Sequence, residues 1–277
     1  MTDFDGVESS AARSATESRD GRSYLARVVR VFLVGMVGVV GLVVTAALVP
    51  GTLPSVPDVP RSVLLVASLL QPAVLVLVAS AVGGRLAPAV GFRSYTASGD
   101  SLESILRNLR SEGRVAVPAG FGVGVLIVVF DLVFGALTDV DRALVPTEPV
   151  SVTEVLATLP IRFLYGGITE EVLLRWGFMT LLVWVLWRVS GRPNRPSSTA
   201  VVASIVVAAV VFGIGHLPAV ALQTPLTVGI VARTVVLNAV GGIVFGWVYW
   251  RYSLEAAMLA HAAAHVALVA PVLLAAV

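Results

Sequence analysis

The sequence predicts an all-α protein, a polytopic bundle of about seven (six to eight) transmembrane helices with its N-terminus in the cytoplasm. Three observations carry this. Of the 277 residues, 57% are hydrophobic and 13% are charged, where a soluble domain carries about 25% charged residues; mean hydropathy is +0.93. The apolar residues gather in runs long enough to cross a hydrocarbon layer, which takes about 20 helical residues. The basic residues, all nineteen of them arginine, gather largely between those runs.

Residues 1–27 mix Ser, Thr, Arg, Asp and Glu with almost no apolar periodicity and read as a disordered cytoplasmic tail. The run at 28–49 is too long for a signal-peptide core, and no small-residue cleavage site stands behind it, so it reads as a retained first span. Further runs occur at 62–82, 115–137, 159–187, 199–217, 226–250 and 254–274. Placing the N-terminus inside puts thirteen arginines in inner segments, Arg93, Arg107, Arg195 and Arg251 among them, against Arg61 and Arg142 outside.

The inner loop 83–114 sets Leu102, Ile105, Leu106 and Leu109 on one helical face. That pattern reads as an amphipathic helix, either lying in the membrane interface or packed on the bundle as a connector. The outer loop 138–152 carries Pro146 and Pro149 and separates N-terminal membrane helices, 28–150, from a segment, 151–277, that holds the chemistry. Glycines 35, 38 and 41, 120, 122 and 124, and 241, 242 and 246 are spaced for close helix approach.

Composition removes several function classes. There is no cysteine, hence no disulfide, thiolate metal site or cysteine nucleophile. There is no lysine either, which removes Schiff-base chemistry and a serine–lysine dyad. A net charge of +2, with arginines confined largely to loops, lends no support to nucleic-acid binding. No H-E-x-x-H and no G-x-S-x-G motif is present.

What remains is a set of polar residues placed where they are costly. Glu170, Glu171 and Arg175 lie inside the run 159–187, and a central ionisable group costs about 2.5–3.5 kcal/mol on insertion scales, so each marks a functional-site hypothesis with a partner to be found. All three histidines fall in the last three runs: His216, His261 and His265. Glu171 and Arg175 are four apart and can pair along one helix face. Glu170, about 100° round the helix from Glu171, lacks that partner and can act as a general base on water. The structural alternative pairs both acids with Arg162, Arg175 or Arg233. His261 and His265, also four apart, can bind a metal, hydrogen-bond a carbonyl oxygen, or comprise one functional histidine and a structural neighbour. Asp131, Asn238 and Arg233 are candidates for helix pairing. At 1.5 Å per residue Glu170 is expected about 16 Å from the outer boundary and His216 about 3–9 Å from it, an apparent mismatch in depth.

These motifs resemble those of the CPBP family of intramembrane proteases, which includes the Rce1-type CAAX prenyl endopeptidases and bacterial immunity-related (Abi) proteins. The family pattern is E-E-x-x-x-R, then F-x-x-x-H, then H-x-x-x-N or H-x-x-x-D. Glu170, Glu171 and Arg175 match the first, Phe212 and His216 the second, and His261 the third, where His265 stands in place of Asn or Asp. The resemblance covers about 159–269. It implies an endopeptidase that cleaves a membrane-associated protein, prenylated or not. Glu170 and His216 would activate water, His261 and the auxiliary His265 would hold the oxyanion, and Glu171, Arg175 and Phe212 would give support. It also implies either Zn, with Glu170, His216, His261 and His265 as ligands, or no metal and a glutamate-activated water. The expected partners are membrane lipid and a peptide or lipidated protein substrate, and the expected location is the cell membrane, multi-pass. Two other readings stand beside it: a catalytically inactive member acting as an immunity or scaffold protein, and a proton-coupled transporter using Glu170, Asp131 and the histidines as a relay.

Overall fold

The computed structural model describes residues 4–49, 57–137 and 151–275. Among them every regular element is helical: α1 (Phe4–Leu48), α2 (Arg61–Val90), α3 (Tyr95–Ser98), α4 (Leu102–Leu137), α5 (Val152–Ala157), two π-helical segments (Pro160–Glu170 and Val172–Met179) continuing into α6 (Thr180–Val189), α7 (Ser198–Gly215), α8 (Leu217–Ala221), α9 (Val228–Arg251) and α10 (Leu254–Ala275). Seven stretches are long and apolar enough to cross a membrane: Ser23–Leu48, Arg61–Val90, Leu102–Ala136, Val152–Val189, Ser198–Ala221, Val228–Arg251 and Leu254–Leu274. The seven expected runs are these seven helices; the first six are extended at one or both ends, and the seventh has the expected bounds. The protein is a multi-pass helical membrane protein. Large apolar side chains such as Val66, Leu70, Val78, Val202 and Val206 are exposed, as a lipid-facing surface requires.

Four expectations need correction or restriction. Helix α1 begins at Phe4, not near residue 28; the tail read as disordered contains no proline, the residue that would break a helix outright. The amphipathic stretch 102–110 is not a separate interfacial helix but the first turns of the 36-residue α4. Gly113 is the sole weak helix former at that junction, and one glycine costs about 1 kcal/mol, too little to stop a helix. The run 159–187 winds as π-helix from Pro160 to Met179, interrupted at Glu171. Such winding is rare and is frequent at functional sites. The outer loop expected at 138–152 lies outside the described residues over 138–150.

The elements pack in pairs. Helix α4 lies along α10, α7 along α9, and α1 along both α2 and the first π-helical segment. Two glycines set how closely. A Cβ on Gly38 would collide with the Leu164 carbonyl and Thr169 Oγ1, and one on Gly120 with the Ala260 carbonyl; the backbones touch because no side chain stands between them. Thr169 Oγ1 donates to the Gly35 carbonyl at 2.6 Å across the first seam. We expect Gly120→Val to lower the melting temperature in detergent by several degrees, since over-packing costs about 1–3 kcal/mol. Gly122→Val, where an added Cβ meets nothing within 4 Å, should leave it unchanged. Equal melting temperatures for the two variants would contradict this account of the seam.

One end of the bundle is held by a carboxylate clasp. Glu255 is buried in the first turn of α10 and accepts from Ser94 Oγ (2.8 Å), Thr96 N (2.9 Å) and Tyr95 N (3.2 Å). Glu112 of α4 accepts from the Tyr95 hydroxyl at 2.6 Å and the Ser253 hydroxyl at 2.5 Å. Burial, with the hydrogen bond to Glu112, pushes the Tyr95 phenol well above its ordinary range, so it remains a donor at any physiological pH. The link between α2 and α4 is thereby fastened to the start of α10.

Candidate active site

Three helical elements bring the expected residues together. Glu170 ends the first π-helical segment, Glu171 is the junction, and Arg175 lies in the second. Phe212 is near the end of α7, and His216 is the residue that caps it. His261 and His265 project from the middle of α10, and α9 closes the site with Phe245 and Gly242.

The two glutamates have separate surroundings. Glu171, with 0% side-chain exposure, places Oε2 3.2 Å from Arg175 Nε and Oε1 2.8 Å from His261 Nδ1. Arg175, 1% exposed, donates further to the Gly242 carbonyl at 3.2 Å. Its guanidinium lies 5.2 Å from the Phe212 ring centroid and 5.6 Å from that of Phe245. The expected Glu171–Arg175 pair is present, and it holds a histidine as well. An ionised carboxylate only accepts, so His261 carries its proton on Nδ1 and turns Nε2 away from Glu171. Phe245 stacks on the same imidazole, with centroids 4.3 Å apart, and restrains its rotation.

Glu170, with 16% side-chain exposure, is the carboxylate left open. Its Oε1 is 3.9 Å from His216 Nε2 and its Oε2 is 3.9 Å from His261 Nε2. His216, 34% exposed, donates from Nδ1 to the Phe212 carbonyl at 2.8 Å, because a carbonyl can only accept. Both histidines therefore turn Nε2 toward Glu170. The depth mismatch expected from counting residues does not separate Glu170 from His216, whose side chains approach to 3.9 Å. Helix α8 follows His216 directly, so the fifth span runs from Ser198 to Ala221, with His216 five residues before its end.

His265 stacks on His261, with centroids 4.9 Å apart, and lies 6.0 Å from the Phe163 ring. Its Nε2 is set against Gly166, where an added Cβ would clash with it. Its buried Nδ1 has no hydrogen-bond partner among the described residues. The proposed ligand set Glu170, His216, His261 and His265 does not fit a metal as placed: His265 is directed at Gly166, and among the described residues no group of three or more His, Asp or Glu could hold an ion. Zinc needs such ligands at about 2.0–2.2 Å.

The remaining polar residues at depth are elsewhere. Arg233 pairs with Asp131, Asn238 donates to the Thr234 carbonyl of its own helix at 2.8 Å, and Arg162 donates to Thr158 Oγ1 at 3.2 Å. Of the three arginines considered as partners for the glutamates, Arg175 alone serves. Phe245, Gly242 and Gly166 were missed by sequence reasoning. Gly242 carried a packing signal as one of three spaced glycines, whereas Phe245 and Gly166 carried none.

Residues 152–267 match the family model described as type II CAAX prenyl endopeptidase Rce1-like. This segment is similar to an Rce1-like domain. It starts at α5 and ends within α10, so it contains every residue of the site just described. Among the curated proteins and the solved structures, none matches the chain. Over that stretch the chain is similar to the CAAX-type intramembrane proteases. The helices α1, α2 and α4 lie outside the matched residues yet pack directly on the elements that carry the site.

Proposed function

We propose that this protein is an intramembrane endopeptidase that hydrolyses a peptide bond of a membrane-associated, prenylated protein by glutamate- and histidine-activated water. The supporting observation is the Glu170 carboxylate set 3.9 Å from two imidazole Nε2 atoms contributed by two other helices. That separation is beyond a direct hydrogen bond and within the reach of one bridging water. Glu170 takes a proton from that water while its oxygen bonds to the scissile carbonyl carbon, and His216 Nε2 orients it. The carbonyl oxygen becomes an oxyanion, formed on the side where His261 and His265 lie to stabilise it. Glu170 then gives the proton to the leaving amine as the C–N bond breaks. Glu171 and Arg175 position His261 and do not touch the substrate.

The test is cleavage of a prenylated peptide and its unprenylated counterpart in liposomes by the wild type and His216→Ala, with and without chelator. Prenyl-dependent cleavage that is lost in His216→Ala and unaffected by chelator is expected. Absence of wild-type cleavage would favour the inactive, scaffolding reading, and loss of cleavage with chelator would overturn the metal-free mechanism. The transporter reading draws on Asp131, but that carboxylate is paired with Arg233.

His265 stands where the family pattern has Asn or Asp, and a neutral imidazole can donate one hydrogen bond, as an amide can. We expect His265→Leu to lower kcat about a hundredfold, the usual cost of one oxyanion donor, and His265→Asn to remain within about tenfold of wild type. Full activity of the leucine variant would remove His265 from the mechanism.

A further inference from the structure

At the end of the bundle that carries the carboxylate clasp, a cavity of about 650 Å³ opens between three connections: the end of α2, the segment preceding α7, and the turn from α9 to α10. Arg93, Arg195 and Arg251 line it, together with Asn194, Trp250 and Tyr252, and no carboxylate does. Three like charges brought to one cavity repel one another unless an anion sits among them. Among the described residues none of the three guanidinium groups has a carboxylate within ion-pair distance. Arg251 lies over the Trp250 ring, 5.7 Å from its centroid, which holds it at the cavity wall.

We propose that this cavity is a binding site for the phosphate of an anionic phospholipid headgroup. Guanidinium groups match phosphate oxygens with paired N–H donors, and Asn194 adds an amide donor. A lipid is favoured over a free anion by position. The cavity lies where the spans Arg61–Val90 and Val228–Arg251 end and Ser198–Ala221 and Leu254–Leu274 begin. Tryptophan and tyrosine at such a level mark the headgroup zone. Basic pockets between transmembrane helices at that level suit acidic headgroups. Val201 of α7 also lines the cavity, and His216 lies fifteen residues further along the span, about 22 Å away at 1.5 Å per residue. The site is therefore separate from the candidate active site and independent of the protease reading.

The test is binding of phosphatidylglycerol to the full-length protein in detergent, counted by native mass spectrometry and by the rise in melting temperature. Phosphatidylcholine and inorganic phosphate are run in parallel. The wild type should bind phosphatidylglycerol and gain stability from it, with little response to either comparator. The double variant Arg195→Gln/Arg251→Gln should bind about twenty-fivefold more weakly, at about fivefold per arginine near a membrane surface. Arg110→Gln, an exposed arginine outside the cavity, should bind as the wild type does. Unchanged binding by the double variant, an equal loss in Arg110→Gln, or an equal response to phosphatidylcholine would overturn the proposal. An inorganic phosphate effect as large as that of phosphatidylglycerol would overturn the lipid assignment.

Discussion

Replacing Glu170 by glutamine should reduce kcat for peptide cleavage about a thousandfold, within the 10²–10⁴ range of general acid–base catalysis, while KM and melting temperature stay close to wild type. The stability half of this expectation follows from the separation of the two glutamates. Glu170 makes no ion pair with Arg175, and its carboxylate stands 3.9 Å from each histidine Nε2, so the amide removes a base without orphaning a buried cation. Turnover within tenfold of wild type would end the water-activation mechanism, and a large fall in melting temperature would mean that Glu170 is a structural residue.

The adjacent position should behave in the opposite way. Glu171→Ala removes the carboxylate that meets both Arg175 and the Nδ1 of His261, leaving a guanidinium that is 1% exposed with one carbonyl and two aromatic faces. Breaking a buried pair from one side costs about 3–5 kcal/mol, enough to lower the melting temperature by many degrees. The double variant Glu171→Leu/Arg175→Met removes both charges and should recover much of that loss, because the pair replaced together by apolar groups is near neutral. Its activity should remain absent, since His261 then has no acceptor to fix its ring. Recovery of activity with stability would show that the acceptor is dispensable; wild-type stability of Glu171→Ala would refute the account of the pair.

The contrast between these neighbours was partly legible from spacing. Charges inside an apolar run are conspicuous because each is costly there, and the i, i+4 relation of Glu171 to Arg175 survives even in π-helical winding. The three histidines were conspicuous for the same reason. The seven spans followed from run length alone. The Glu171–His261 bond was not legible, since it joins residues 90 apart in sequence. Nor was the Phe245 stack, because one aromatic residue in an apolar helix carries no periodic signal. The approach of His216 to Glu170 at 3.9 Å was not legible either, because counting residues to the ends of two separate runs does not give the relative depth of two packed helices. The continuity of α4 was obscured by reading a polar stretch as a break, when no residue there breaks a helix.

The glycine seams bear on what counts as a unit of this protein. The family resemblance stops at the boundary of 152–267, but Gly38 and Gly120 bring outside helices into backbone contact with Leu164 and Ala260, six residues before Glu170 and one before His261. The register of two reactive groups is thus held by helices that the family pattern does not describe. A fragment beginning at residue 151 would keep every motif and lose the surfaces against which those motifs are aligned. The span of residues that the family pattern covers is shorter than the span that packs together, and the packing leaves no room for a side chain at those two points.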